Sequence, residues 1–275
     1  MDHYAVFGNP IGHSRSPFIH LQFAKQTQQT LDYQALEAPL DGFAATTAEF
    51  FAGSGKGANV TVPFKEQAFE ICVKVSERAQ KAGAVNTLIK ADNGDIHGDN
   101  TDGIGLVRDL LNNNVKLAGS NILLLGAGGA ARGVILPLLD QNPAQLVISN
   151  RTIEKAEHLV DNFNNKDSNH KNFSATPLNA LQKHDFDVII NATSAGLSGH
   201  VPDLPSDCLN RDTVCYDMVY LNSITPFNQW AKDQGVTTTI DGLGMLVEQA
   251  AESFSLWRGV KPDTSAVLTA LRGML

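Results

Sequence analysis

The chain has 275 residues, long for a single hydrophobic core, so two domains are expected. Its 21 Lys and Arg against 29 Asp and Glu leave a formal charge of −8, which argues against nucleic acid or an anionic membrane as the main partner. No basic stretch leads from Met1 into an apolar run, and no window approaches about 18 consecutive apolar residues, so a cytoplasmic protein without a membrane span is expected. Cys72, Cys208 and Cys215 are scattered and lack the spacing of a zinc site. No metal is expected, and the thiols read as reduced and mostly buried.

In chain order, residues 4–7 predict a strand that ends at Gly8-Asn9-Pro10. Residues 17–26 predict a helix with Ser16 as N-cap and Pro17 at its first position. A strand over 33–36, a helix over 43–51 and a strand over 58–62 come next, and Pro63 is expected to open a helix through 71. Residues 85–90 and 95–97 flank Asn93-Gly94, a hairpin signal. Leu106, Leu110 and Leu111 recur at helical spacing from Asp102 onward. Residues 121–125 form a compact apolar strand leading into a glycine-rich turn, a helix to 139 and a strand over 146–149. Later strands are expected at 188–190, 214–216 and 236–240, with helices at 154–163 and 226–234 and a solvated loop over 164–172. Helices over 244–257 and 264–272 close the chain. Strands alternating with helices predict the α/β class with mainly parallel sheets.

The turn Gly126-Ala127-Gly128-Gly129-Ala130-Ala131 sits between strand and helix, inside a strand–helix–strand unit of about thirty residues, as a dinucleotide site requires. Gly126 permits the tight turn, and Gly128 lets backbone approach a pyrophosphate. Ala131 lets the helix pack on the strand, and the free N–H groups of the first helical turn face the phosphates. An NAD site places Asp or Glu at the end of the second strand. This chain has Asn150-Arg151-Thr152, with Lys155 one turn on. Arg151 and Thr152 suit a ribose 2′-phosphate that a carboxylate would repel, so NADP is the expected cofactor. The alternative is that Arg151 and Lys155 decorate a solvated helix start.

Three polar clusters precede this unit. Ser14-Arg15-Ser16-Pro17 sets two hydroxyls before a helix, where a carboxylate fits, although Ser16 is equally a plain N-cap. In Asn59-Val60-Thr61-Val62-Pro63-Phe64-Lys65, strand alternation puts Asn59 and Thr61 on one face, and Lys65 stands in a first helical turn, where the macrodipole disfavours it. In Gly98-Asp99-Asn100-Thr101-Asp102-Gly103, Thr101 or Asp102 is either a helix cap or a ligand contact. Asn86, alone and polar in an apolar run, is a core amide or a ligand contact.

Together with Ala84-Val85-Asn86-Thr87, Asn191-Ala192-Thr193, Tyr216-Asp217-Met218 and Asp241-Gly242-Leu243-Gly244-Met245, these motifs stand in order along nearly the whole chain. In them the sequence resembles the shikimate dehydrogenases, NADP-dependent enzymes of aromatic amino-acid biosynthesis, and most of all the bacterial biosynthetic type. The resemblance implies reversible reduction of 3-dehydroshikimate to shikimate, with Lys65 and Asp102 as the catalytic pair. It implies that Ser14 and Ser16 hold the substrate carboxylate and that Thr61, Asn86 and Asp102 bond the ring hydroxyls, joined by Asn59, Tyr220 and Gln249. It assigns Gly126, Ala127, Gly128, Gly129, Ala130, Asn150, Arg151, Thr152 and Lys155 to NADP, with Met218 and Gly242 near the nicotinamide. Glu77, by itself an ordinary helical acid, is assigned to the cofactor too.

The expected architecture is therefore a mainly parallel α/β substrate-binding and catalytic domain, residues 1–101 with 241–275, and a Rossmann-type NADP domain, residues 102–240, with a cleft between them. Lys65 is expected to donate a proton to the developing alkoxide during reduction and to take it back during oxidation. The expected assembly is a monomer or a homodimer, the homodimer slightly favoured. Two other readings stand beside this one: a broader quinate/shikimate dehydrogenase using either cofactor, and a non-catalytic NADP-binding regulator that kept the fold.

Overall fold

A computed structural model describes residues 1–164, 171–181, 186–201 and 203–275. The chain divides into two compact units, Met1–Gly105 with Leu246–Met274, and Leu106–Met245 with Leu275. The divisions fall a few residues beyond the expected 101/102 and 240/241, inside helices instead of ahead of them. Asp102 consequently belongs to the same unit as Lys65.

The first unit begins with β1 (Asp2–Gly8), α1 (Ser16–Gln26), β2 (Leu31–Glu37), α2 (Phe43–Ala52) and β3 (Gly55–Val60). Then come α3 (Lys65–Glu70), β4 (Lys74–Val75), α4 (Glu77–Ala82), β5 (Thr87–Lys90), β6 (Ile96–Asp99) and α5 (Asp102–Asn112). The sheet order is β2-β1-β3-β5-β6-β4. β1 runs parallel to β2 and β3, β4 parallel to β6, and β5 antiparallel to both its neighbours. The β5–β6 hairpin closes through Gly94 at φ +90°, a backbone state that Asn93-Gly94 supplies without strain. Alternate residues of β1 serve two packings. Ala5 and Phe7 join a core in which Phe43 stacks on Phe64 at 4.8 Å, while Tyr4 lies against Trp257 at 4.8 Å.

Two helix starts differ from those expected. Ser16 is the first residue of α1, and Arg15 occupies the cap without a side-chain bond. The reason is a turn in which Ser14 N–H donates to Ile11 O, so that Ser14 Oγ instead accepts from Ser16 N–H at 3.3 Å. β3 ends at Val60, and α3 begins at Lys65 and not at Pro63. Thr61 N–H still bonds Phe7 O at 2.8 Å, but Thr61 O already accepts from Phe64 N–H, so the turn starts at Thr61. Alternation therefore no longer governs that side chain.

The second unit continues with β7 (Asn121–Leu125), α6 (Gly129–Leu139), β8 (Gln145–Ser149), α7 (Ile153–Asn164) and β9 (Phe173–Ala175). It goes on through β10 (Val188–Asn191), β11 (Val214–Asp217), α8 (Pro226–Asp233) and β12 (Thr238–Asp241). The chain then runs along α9 (Leu243–Arg258) to α10 (Ser265–Arg272) in the first unit. Residues 165–170 of the expected 164–172 loop lie outside the described residues. The second sheet is wholly parallel in the order β12-β11-β10-β7-β8-β9. Counted within the unit, this is the 3-2-1-4-5-6 order of dinucleotide-binding folds. Both faces are apolar: Ile122 and Leu124 enter one core, Leu123 and Leu125 the other. That is why the strand reads as an unbroken apolar run. Among the described residues no helix is long and apolar enough to cross a membrane.

Candidate active site

Backbone hydrogen bonds bring the first unit's polar clusters together. Val60 N–H donates to Asn86 O at 2.8 Å, Val85 N–H to Lys65 O at 2.9 Å, and Asn86 N–H to Asp99 O at 3.0 Å. The start of α3, the approach to β5 and the β6–α5 turn thus converge on Asn86. Its Nδ2 donates to Asp102 Oδ1 at 2.7 Å and faces Thr101 Oγ1 at 3.0 Å and Gln249 Oε1 at 3.3 Å. Its Oδ1 accepts from Thr101 N–H at 2.9 Å. Lys65 Nζ donates to Asp102 Oδ2 at 2.5 Å. The Lys65 side chain keeps 27% of its surface and that of Asp102 12%, so the ammonium is the more accessible of the two.

Asn59 meets a different fate from the one expected. Its Oδ1 accepts from Tyr33 Oη at 2.7 Å and from His20 Nε2 at 3.1 Å. Its Nδ2 faces Asn86 O at 3.2 Å, Thr87 Oγ1 at 3.3 Å and Ser253 Oγ at 3.0 Å. Both polar atoms of this buried amide are bonded inside the protein, as are those of Asn86. Thr61, half-exposed beyond the strand, packs its methyl over Gly8, where a Cβ would fall 2.6 Å away. Tyr33 also bonds Ser16, which is buried beside the half-exposed Ser14. Burial drives the His20 imidazole down to about 3, although its bond to Asn59 works the other way, and His20 stacks on Tyr33 at 4.3 Å. Burial pushes the Tyr33 phenol well up.

Sequence reasoning missed His20, Tyr33, Thr87 and Ser253. One signal was present, since Ser253 stands four residues after Gln249 on the same helical face.

In the second unit, Gly126 takes φ +108° and Gly128 faces open space at the start of α6. Together with residues 127, 129 and 130 they line a cavity of about 900 Å³. Asn150, Arg151, Thr152 and Lys155 line it too, the last three exposed. Asn150 Nδ2 donates to Thr152 O at 2.8 Å and so sets the shape of this turn. Asp203 lines the cavity as well. A backbone cradle, free N–H groups at a helix start and adjacent cations fit a dinucleotide phosphate. Gly242 is required by close approach, because a Cβ there would lie 2.1 Å from Met218 O. Tyr220 is half-buried in this unit, after β11. Glu77, in the first unit, is exposed in the first turn of α4. Among the described residues no group of three or more His, Cys, Asp or Glu could hold a metal. The three thiols are free, and burial pushes them up to about 12 for Cys72 and Cys215 and about 11 for Cys208.

Three family descriptions match successive parts of the chain. They are the shikimate dehydrogenase substrate binding domain over residues 6–88, shikimate / quinate 5-dehydrogenase over 108–198, and the shikimate 5′-dehydrogenase C-terminal domain over 242–272. A relative from Photobacterium profundum, named shikimate dehydrogenase (NADP(+)), is 58% identical over 275 residues, covering 100% of this chain and 99% of its own. The chain belongs to the shikimate dehydrogenase family. Solved structures agree with this membership. An Ael1 enzyme from Pseudomonas putida superposes with TM-score 0.93 at 46% identity, covering 98% of both chains. A shikimate 5-dehydrogenase from Thermus thermophilus, solved in complex with NADP(H) and shikimate, does so with TM-score 0.89 at 32% identity, covering 100% of both. Within the shikimate dehydrogenase family frame, Asp102 falls between the first two matched segments. Its link to Lys65 therefore rests on the contact geometry itself.

Proposed function

We propose that this chain catalyses the reversible NADP-dependent reduction of 3-dehydroshikimate to shikimate, a step toward chorismate and the aromatic amino acids. The observation that carries the reading is the Lys65 ammonium on the Asp102 carboxylate, at 2.5 Å and partly open to solvent. Bound NADP supplies or accepts the hydride. Gly126, Ala127, Gly128, Gly129 and Ala130 hold its pyrophosphate, and Asn150, Arg151, Thr152 and Lys155 its 2′-phosphate side. Met218 and Gly242 border the nicotinamide, and Glu77 contributes a further cofactor contact.

On the substrate side, Ser14 and Ser16 hold the carboxylate. Thr61, Asn86, Asp102, Tyr220 and Gln249 bond the ring hydroxyls. Lys65 gives a proton to the carbonyl oxygen as it becomes an alkoxide, and takes it back in the oxidative direction. Asp102, anchored by Asn86, holds the ammonium where that oxygen must lie. Asn59 orients the site from behind.

The test is absorbance at the NADPH band with shikimate or quinate and with NADP or NAD. Turnover is expected with shikimate and NADP, much slower with either replacement. No turnover of shikimate by the folded protein overturns the reading, and comparable turnover of quinate moves the chain to the broader class.

A further inference from the structure

Arg78, on α4, has no role in the scheme above, yet its guanidinium lies between two carboxylates. Its Nε and Nη2 donate to the two oxygens of Asp99, each at 2.7 Å, and Nη2 reaches Glu252 Oε1 at 3.1 Å. Burial works against this charge, but Asp99 and Glu252 outweigh it and hold the guanidinium above its ordinary range. Ser76, which caps α4 by accepting from Ala79 N–H, also donates its hydroxyl to Asp99.

Asp99 ends β6, and the turn beyond it has three successive N–H groups each bonded to a side chain. Asn100 N–H goes to Asp99 Oδ1 at 2.7 Å, Thr101 N–H to Asn86 Oδ1 at 2.9 Å, and Asp102 N–H to Asn100 Oδ1 at 3.2 Å. The first of these bonds depends on the carboxylate that Arg78 holds. Glu252, the other anchor, lies on α9 between Gln249 and Ser253, both of which reach into the same polar cluster. One guanidinium therefore ties the turn that aims Asp102 to the helix that presents Gln249.

We propose that Arg78 is a positioning residue for the Lys65–Asp102 pair: its two-pronged hold on Asp99, braced by Glu252, keeps residues 99–102 in the conformation that gives one Asp102 oxygen to Asn86 and the other to Lys65. The inference rests on the dehydrogenase reading. Lysine at this position keeps the charge but not the planar fork, so it cannot hold both Asp99 oxygens and Glu252 in the same geometry.

The experiment is a kinetic cycle of Arg78→Lys and Lys65→Ala, separately and together, with shikimate and NADP, and with the fold of each variant checked by thermal unfolding. Arg78→Lys is expected to lower kcat about 10- to 100-fold with a smaller change in KM, as misplacement of a catalytic group does. In the Lys65→Ala background the same change is expected to have almost no further effect, because the pair it aligns is already gone. Asp99→Asn, which keeps the side-chain shape, is the second variant and is expected to show the same pattern. Full kcat in folded Arg78→Lys overturns the proposal, as does an equal loss in both backgrounds, which would mark a purely structural residue. Lys65→Ala with undiminished kcat removes Lys65 from the chemistry and overturns the proposal with it, whereas an inactive wild type would count against the dehydrogenase reading itself.

Discussion

Lys65 and Asp102, 37 residues apart in the chain, share a hydrogen bond of 2.5 Å, and the second oxygen of that carboxylate is held by Asn86 at 2.7 Å. With both oxygens engaged, Asp102 orients and Lys65 is left to exchange the proton. Lys65→Ala is expected to lower kcat by roughly 10²–10⁴-fold, with less effect on KM for shikimate. Steady-state kinetics decide it, and a variant with near-normal kcat removes Lys65 from the chemistry.

Arg151 stands exposed on the wall of the second unit's cavity, and the strand end before it, Ser149-Asn150, carries no Asp or Glu. Replacing it with leucine is expected to weaken NADP binding by about 1.5–3 kcal/mol, the range of a hydrogen bond to a charged group, and to leave NAD binding nearly unchanged. Titration calorimetry with both cofactors provides the check. Equal losses would show that Arg151 does not read the 2′-phosphate.

Gly242 has no room for a side chain, since the obstacle is the main-chain oxygen of Met218. Gly242→Ala is expected to lose about 1–3 kcal/mol of stability by overpacking and to raise KM for NADP through the displaced Met218. Chemical denaturation that finds the variant as stable as wild type would contradict the crowding.

His20 links acidity to folding. Its folded pKa of about 3 lies below the unfolded value of about 6.5, so between these limits the unfolded chain binds more protons. The contribution is complete above about pH 6.5 and falls as pH drops, by about 2 kcal/mol at pH 5. His20→Gln retains a donor for Asn59 and is expected to show a pH dependence flatter by that amount in denaturant melts at pH 5 and 7. Parallel profiles for the two proteins would show that His20 does not titrate on unfolding.

How far the sequence foretold these features depended on element length. The run from Asn121 to Leu139 was legible because an uninterrupted apolar strand, a glycine turn and an eleven-residue helix each carry a strong pattern. β4, of two residues, was not expected, and α4, of six, was given no bounds although Glu77 reads as a helical acid, both being too short for periodicity to register. Their signals were chemical instead: Ser76 as a capping residue and Gly83 at φ +61° closing the helix. Lys65, Asn86 and Asp102 stood out as polar types at unusual places in their elements, whereas Gln249 came only from the family resemblance. The commitment of Asn59 was not legible, because its partners Tyr33, Thr87 and Ser253 come from three separate elements, and only folding reveals that an amide has no valence left over.

That saturated amide has a thermodynamic corollary. Tyr33, Asn59, Thr87 and Ser253 are already bonded to one another without any ligand, so association has little left to order in them, and much of a charge of about 0.5–1.5 kcal/mol per ordered side chain is avoided. Lys65 keeps more of its surface than its partner Asp102, so a larger share of the entropic penalty of capture falls on the residue that performs the proton exchange.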